Sequence, residues 1–203
     1  MIEFLQLQDA AAVERWSAPI AEWVFATGAE YFHMLFGDPE IAKRSLESWI
    51  KHPNSEFSGL HATLAMNNGR SIGVFITMPG TEIPKRRLFD TLYLLKNCKS
   101  DRRLALRDFL SAFANVLLPV GESDFYLRTL AVGAEHRGRG YGRQLLEQAI
   151  TAGARAGFKR IRLDVNGNNA PALHLYQDCG FKIIHEATVP AFCHRVCAML
   201  LER

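Results

Sequence analysis

Residues 137–142 read Arg-Gly-Arg-Gly-Tyr-Gly. Three glycines in six positions suit neither a strand nor a helix interior. Yet they stand between Phe125–Val132, a strand candidate, and an amphipathic helical run to about Ala156, with Gly157 placed as its C′ residue. The chain is therefore committed to a strand–turn–helix unit whose corner has few bulky side chains. Tyr141, Leu145, Ala149, Ala152 and Ala156, widened by Leu146 and Ile150, form the stripe this helix is expected to bury. Its first turn then lies against the protein, with its amides opening beside the strand end. Four amides at a helix start lack partners, and the aligned peptide dipoles add roughly half a positive charge there. Glycine admits positive φ and close approach of a bulky anion. Arg137, Arg139 and Arg143 add full charges, and the whole reads as a receptor for a phosphate or pyrophosphate. The dinucleotide fingerprint fails because position 143 is Arg, and the Walker pattern lacks its Gly-Lys-Ser/Thr. Two rival readings remain, turn glycines of no further use and an RG-type RNA contact; the flanking strand and helix speak against disorder.

Around this unit, strands are expected at Ile2–Leu7, Leu60–Met66, Ser71–Met78, Arg160–Val165, Phe181–Thr188 and Arg195–Leu201. Asn67-Asn68-Gly69-Arg70 predicts an antiparallel hairpin. Asp9 is placed as the N-cap of a helix that Pro19 should kink or divide, and Trp23–Phe36 as a second helix stopping at Gly37. Asp38-Pro39-Glu40 is a helix start, and that helix should end before Pro53. Residues 79–87 read as a loop, and Leu88–Leu118 as helical with a break near Asn97–Asp101. A short helix spans about Ala170–Cys179. In Arg160–Val165 the apolar Ile161, Leu163 and Val165 face one way and Arg160, Arg162 and Asp164 the other. Alternating strands and helices with hairpins at both ends indicate an α/β or α+β domain with a mixed sheet.

A hydrophobic content of 48% and a charged content of 22% fit a soluble globular domain, and a net charge of +3 does not argue for nucleic acid. No apolar run reaches the ~18 residues of a membrane span, and no secretory signal is read at the N-terminus. Cys98 and Cys179 stand apart, while Cys193 and Cys197 share one face of a late strand; free thiols in a reducing, cytoplasmic setting are expected, and no metal. His33 reads as a packed helix residue, and His185 and His194 lack metal-like companions. Lys85-Arg86-Arg87 and Arg102-Arg103 read as solvated, ahead of a role in attracting an adenosine phosphate or an acidic substrate, and Trp16, Trp23, Tyr31, Phe32 and Phe36 as core or as walls of an apolar pocket.

The stretch LRTLAVGAEHRGRGYGRQLLEQAI resembles the acetyl-CoA-binding strand, turn and helix of the GNAT superfamily of N-acetyltransferases. Arg137, Gly140 and Gly142 meet its Arg/Gln-x-x-Gly-x-Gly/Ala signature. RIRLDVNGNNAPALHLYQDCGFK continues the likeness through Asn169, Ala172, Leu175, Tyr176, Gly180 and Phe181, and the match covers about residues 125–185. The resemblance implies a mixed, mostly antiparallel sheet flanked by helices, with a V-shaped opening between its two central strands. It implies one N-acetyltransferase domain over 1–203: residues 1–78 as the acceptor side, 79–124 as a helical insertion, and 125–203 as the acetyl-CoA half. Acetyl-CoA is the implied acyl donor, held by Arg137, Gly138, Arg139, Gly140, Tyr141, Gly142 and Arg143 at the pyrophosphate, and by Leu130, Ala131, Val132, Asn169, Ala172 and Tyr176 along the pantetheine arm. The Val132 amide would polarise the thioester carbonyl and Tyr176 would act as general acid. The implied activity is acetyl transfer to an amine by direct attack in a ternary complex, with neither metal nor membrane, in a monomer or homodimer. A non-catalytic coenzyme A sensor is the alternative. FYLRTLAV carries no carboxylate, so the general base is left open among Glu82, Asp90, Glu122 and Asp124, each of which also reads as a surface charge. The acceptor is not legible.

Overall fold

A computed structural model describes residues 2–189 and 194–203. Its strands are β1 (Glu3–Gln6), β2 (Ala62–Asn67), β3 (Arg70–Pro79), β4 (Asp124–Val132), β5 (Arg160–Asn166), β6 (Lys182–Val189) and β7 (His194–Glu202). They form one sheet in the order β1-β2-β3-β4-β5-β7-β6. Neighbours are antiparallel except β4 and β5, which are parallel and joined through a helix, as a parallel crossover requires. The helices are α1 (Ala10–Thr27), α2 (Ala29–Phe36), α3 (Pro39–Lys51), α4 (Ile83–Asn97), α5 (Arg103–Val116), α6 (Tyr141–Arg155) and α7 (Ala170–Asp178). The first five cover one face of the sheet, and α6 and α7 the other, so two apolar cores sandwich it. This is the expected mixed, mostly antiparallel sheet flanked by helices.

Local chemistry accounts for most of these boundaries. Asn68 (φ 49°) and Gly69 (φ 74°) hold the left-handed conformations of a two-residue hairpin between β2 and β3. Asp38 Oδ1 accepts from the amides of Glu40 and Ile41, each at 2.9 Å, and Pro39 opens α3.

Other expectations are corrected. Pro19 neither divides nor ends α1; the break comes at Gly28, which splits the expected Trp23–Phe36 helix. A proline inside a helix costs about 3 kcal/mol, whereas Val13, Ile20, Ala21 and Val24 are all buried from the same helix. Each large apolar group contributes about 1.5–3 kcal/mol, so packing wins. The expected loop at 79–87 is half helix, because Pro84 sits in the first turn of α4, where its missing amide hydrogen costs nothing. Helix α6 is rotated from its expected stripe: Leu145, Leu146, Ala149, Ile150 and Gly153 are buried, Tyr141 and Ala152 half-buried, and Ala156 exposed. A Cβ on Gly153 would lie 2.5 Å from Ile161 Cδ1, so only glycine lets α6 come this close. The expected alternation of β5 places Arg162 and Asp164 on a face that helices also cover. Arg162 is 1% exposed; it donates to Asp164 Oδ1 at 2.8 Å and to the Leu163 carbonyl. His33 is exposed on α2 rather than packed. Cys98 and Cys179 are half-buried, Cys197 is buried, and all three are free; Cys193 lies outside the described residues.

Two irregularities position the site. The β3–β4 register slips between Ile76 and Thr77, leaving Arg128 as an unpaired extra residue, a bulge. Pairing of β4 with β5 runs only from Asp124↔Arg160 to Leu127↔Leu163. Beyond that point the strands part, giving the expected V-shaped opening.

Candidate active site

A cleft of about 1030 Å³ runs from the Arg137–Gly142 turn, through the β4–β5 opening, to the helices on the far face. At its first end, Gly138 (φ 73°) and Gly140 (φ 78°) are left-handed, and Gly140 is the N-cap of α6 with no capping side chain. A Cβ on either would meet nothing within 4 Å. The corner thus presents bare backbone and the unpartnered amides of a helix start to open space, which fits a pyrophosphate. Arg137 lines the cleft and its Nε donates to the Val132 carbonyl at 3.2 Å. Arg139 and Arg143 do not line it: Arg143 reaches across to Asp178 at 3.1 Å and ties α6 to α7. Tyr141 lines the cleft, its hydroxyl 3.5 Å from Asn67 Nδ2.

Along β4, Gly133 donates its amide to the Ile72 carbonyl on β3 at 2.9 Å. Successive amides of a strand point to opposite edges, so those of Val132 and Leu130 face the side from which β5 has departed. Leu130, Ala131 and Val132 line the cleft there, an unfilled strand edge suited to an amide-bearing arm. Across the opening, Asn169, Ala172 and Tyr176 line it from α7. Asn169 also caps that helix, accepting from the Ala172 amide at 3.2 Å. Tyr176 is 8% exposed and packs on Phe181, and burial pushes its phenol up to about 12.

The far end holds charges of which the sequence pointed only to Asp90 and Arg87. Glu56, 4% exposed, lies between two guanidiniums: Arg87 Nε donates to it at 2.9 Å, and Arg128 Nε stands 3.2 Å away without hydrogen-bond alignment. Arg128 lies over the Phe57 ring at 4.0 Å. The Glu56 amide donates to Asp90 Oδ2 at 2.9 Å, while Asp90 Oδ1 is buried with no partner among the described residues. Burial pushes the Asp90 carboxyl up to about 7; the Glu56 amide and the Ser55 hydroxyl pull it back only in part. The Tyr126 hydroxyl donates to Asp164 Oδ2 at 3.0 Å. Of the four carboxylates weighed as bases, Asp90 alone lines this cleft. Glu82 is held by Arg86, Asp124 by Arg160, and Glu122 is exposed. Of the basic clusters, Lys85 and Arg103 are exposed as expected, whereas Arg86 also donates to the Pro53 and Ser55 carbonyls, Arg87 holds Glu56, and Arg102 donates to the Met34 carbonyl. Of the five aromatics considered as pocket walls, Tyr31 and Phe32 line the cleft; Trp16, Trp23 and Phe36 pack against the core. An arginine inside the apolar run of FYLRTLAV was the available signal for this end. Glu56, on a loop, gave none.

The model of the acetyltransferase (GNAT) family matches residues 30–181. Over 87 residues the chain is 33% identical to the ribosomal protein bS18-alanine N-acetyltransferase of Salmonella typhimurium, covering 43% of this chain and 55% of that protein. Over 72 residues it is 33% identical to streptothricin acetyltransferase of Streptomyces lavendulae, covering 36% of this chain and 38% of that protein. The matches thus span about half or less of these relatives' own length. An N-acetyltransferase structure from Staphylococcus aureus Mu50 shares the fold, with a TM-score of 0.72 at 16% identity over 98% of this chain and 100% of that one.

Proposed function

The chain belongs to the GNAT acetyltransferase family, and from that membership we propose that it transfers an acetyl group from acetyl-CoA to a primary amine, by direct attack in a ternary complex. One observation carries the reading: the bare Gly138–Gly140 corner, the free edge of β4 and the buried Tyr176 all open into one cleft.

The donor supplies an activated thioester, whose C–S bond breaks as the C–N bond to the acceptor forms. The α6 amides and Arg137 hold the pyrophosphate. The Val132 and Leu130 amides take the carbonyls of the thioester and the adjoining arm, Val132 meeting the charge that develops on the thioester oxygen. The acceptor ammonium, with a pKa near 10.4, must first lose a proton, at a cost of about 4–5 kcal/mol at neutral pH. A cleft carboxylate that is half ionised near pH 7, as Asp90 is, suits that task. As the C–S bond breaks, sulfur takes a proton from Tyr176, and the second proton shed by the nitrogen passes through water to restore the phenol. A phenol raised to about 12 is a weak acid towards a thiolate in water. The same desolvation raises the thiolate too and narrows the gap.

Free-thiol release from acetyl-CoA with a panel of primary amines tests the proposal. Turnover with any of them is expected. Firm acetyl-CoA binding with turnover on none would leave a coenzyme A sensor instead.

A further inference from the structure

Resting on the amine-acetylating reading, we infer that the acceptor is a free α-amino acid with a large apolar side chain, its carboxylate received by Arg128 and Arg87. The argument begins with the bulge. Arg128 is the one residue of β4 that the β3 register skips, and its side chain turns into the cleft just where the strands part. Its guanidinium carbon sits over the Phe57 ring and its Nε faces Glu56, but no protein acceptor meets its two terminal nitrogens among the described residues. The 22% of its side chain left exposed opens on the cleft it lines. Arg87 is placed alike: Nε and one terminal nitrogen are spent on Glu56, the other is not, and 38% of the side chain remains exposed.

Charge at this end is out of balance in one direction. Glu56 serves two guanidiniums, and Asp164 is already engaged by Arg162 and Tyr126. The remaining carboxylate, Asp90, pairs with neither arginine among the described residues and accepts from the Glu56 amide instead. One guanidinium therefore lacks a counterion, and planar guanidinium is the side chain best matched to a carboxylate. The other walls are apolar: Tyr31, Phe32, Trp49, Leu94 and Phe113 line the same end. Carboxylate, amine and apolar body on one small molecule describe a large apolar amino acid. A peptide N-terminus has an amide in place of that carboxylate and leaves the arginines unanswered.

Matched acceptors decide the matter: L-phenylalanine against phenethylamine and phenylalanine amide, and L-leucine against 3-methylbutylamine, in the thiol-release assay. The acids are expected to exceed their decarboxylated partners in kcat/KM by about 10–100-fold, the range of a charge-assisted hydrogen-bonded pair. Arg128→Met should collapse that ratio toward one. Because Arg128 is buried against Glu56, Arg87→Met is made in parallel, with thermal melts of both. Amines used as well as the acids, or a ratio unmoved in the folded variants, overturns the inference while leaving amine acetylation standing. Should no acceptor turn over, calorimetry of N-acetyl-L-phenylalanine on the coenzyme A complex separates the two claims. Binding weakened tenfold or more by either substitution upholds the anion subsite although the catalytic reading has failed; no binding to the unaltered protein overturns the subsite as well.

Discussion

The Tyr126 hydroxyl donates to Asp164 Oδ2 at 3.0 Å, bridging β4 and β5 at the point where their pairing stops. Burial, with the Asp164 charge beside it, raises the phenol and keeps it a donor throughout the working range. Tyr126→Phe removes a hydrogen bond to a charged group, worth about 1.5–3 kcal/mol. Thermal unfolding should show a fall of several degrees; an unchanged melting temperature would mean that water replaces the bond without loss.

Gly140 and Gly69 both hold positive φ, and a Cβ on either meets open space. Alanine at each should cost about 1–2 kcal/mol for left-handed backbone. Gly140→Asp should in addition weaken acetyl-CoA binding at least a hundredfold, by setting a carboxylate where we propose that the diphosphate binds. Gly69→Asp, in the distant β2–β3 turn, should not. Calorimetric titration of both variants checks the contrast, and equal affinities would remove the corner from the cofactor site.

Tyr176→Phe deletes a proton donor and keeps the packing on Phe181. We expect kcat to drop by about 10²-fold with little change in KM. Since burial holds this phenol up at about 12, the wild-type rate should show no phenol titration below about pH 10. A basic limb near pH 9 that vanishes in the variant would contradict the burial-driven shift.

Asp90 ionises near 3.8 when unfolded and near 7 when folded. The stability tied to its protonated form is complete below about pH 4 and is lost as pH rises through 7. At 6% exposure the full effect is on the order of 4 kcal/mol. Asp90→Asn, which still accepts from the Glu56 amide, should escape that loss. Its melting temperature should gain on the wild type between pH 5 and pH 8. Parallel curves across that range would show that Asp90 is ionised throughout. If Asp90 is the base, the same variant loses most of its turnover at pH 7.

The local half of this protein was readable before it folded. Arg137–Gly142 dictates a side-chain-poor helix start because glycine conformation and unpartnered amides are properties of adjacent residues. The Asn68-Gly69 turn, the Asp38 cap and the Asn169–Tyr176 spacing are likewise short-range. What tertiary structure decided is which charges share the cleft. Glu56 on a loop, Arg87 on α4, Arg128 on a bulge and Asp164 on β5 lie far apart in the chain, and their placement depends on where β4 and β5 part. Alternation puts Arg162 on the polar side of β5, but its burial comes only from the helices that cover that face of the sheet. Pro19 reads as a helix breaker only until the apolar side chains around it are counted against the sheet. A helix cap needs neighbours a few residues away, whereas burial of a charge or a proline is settled by the sum of contacts that the whole fold supplies.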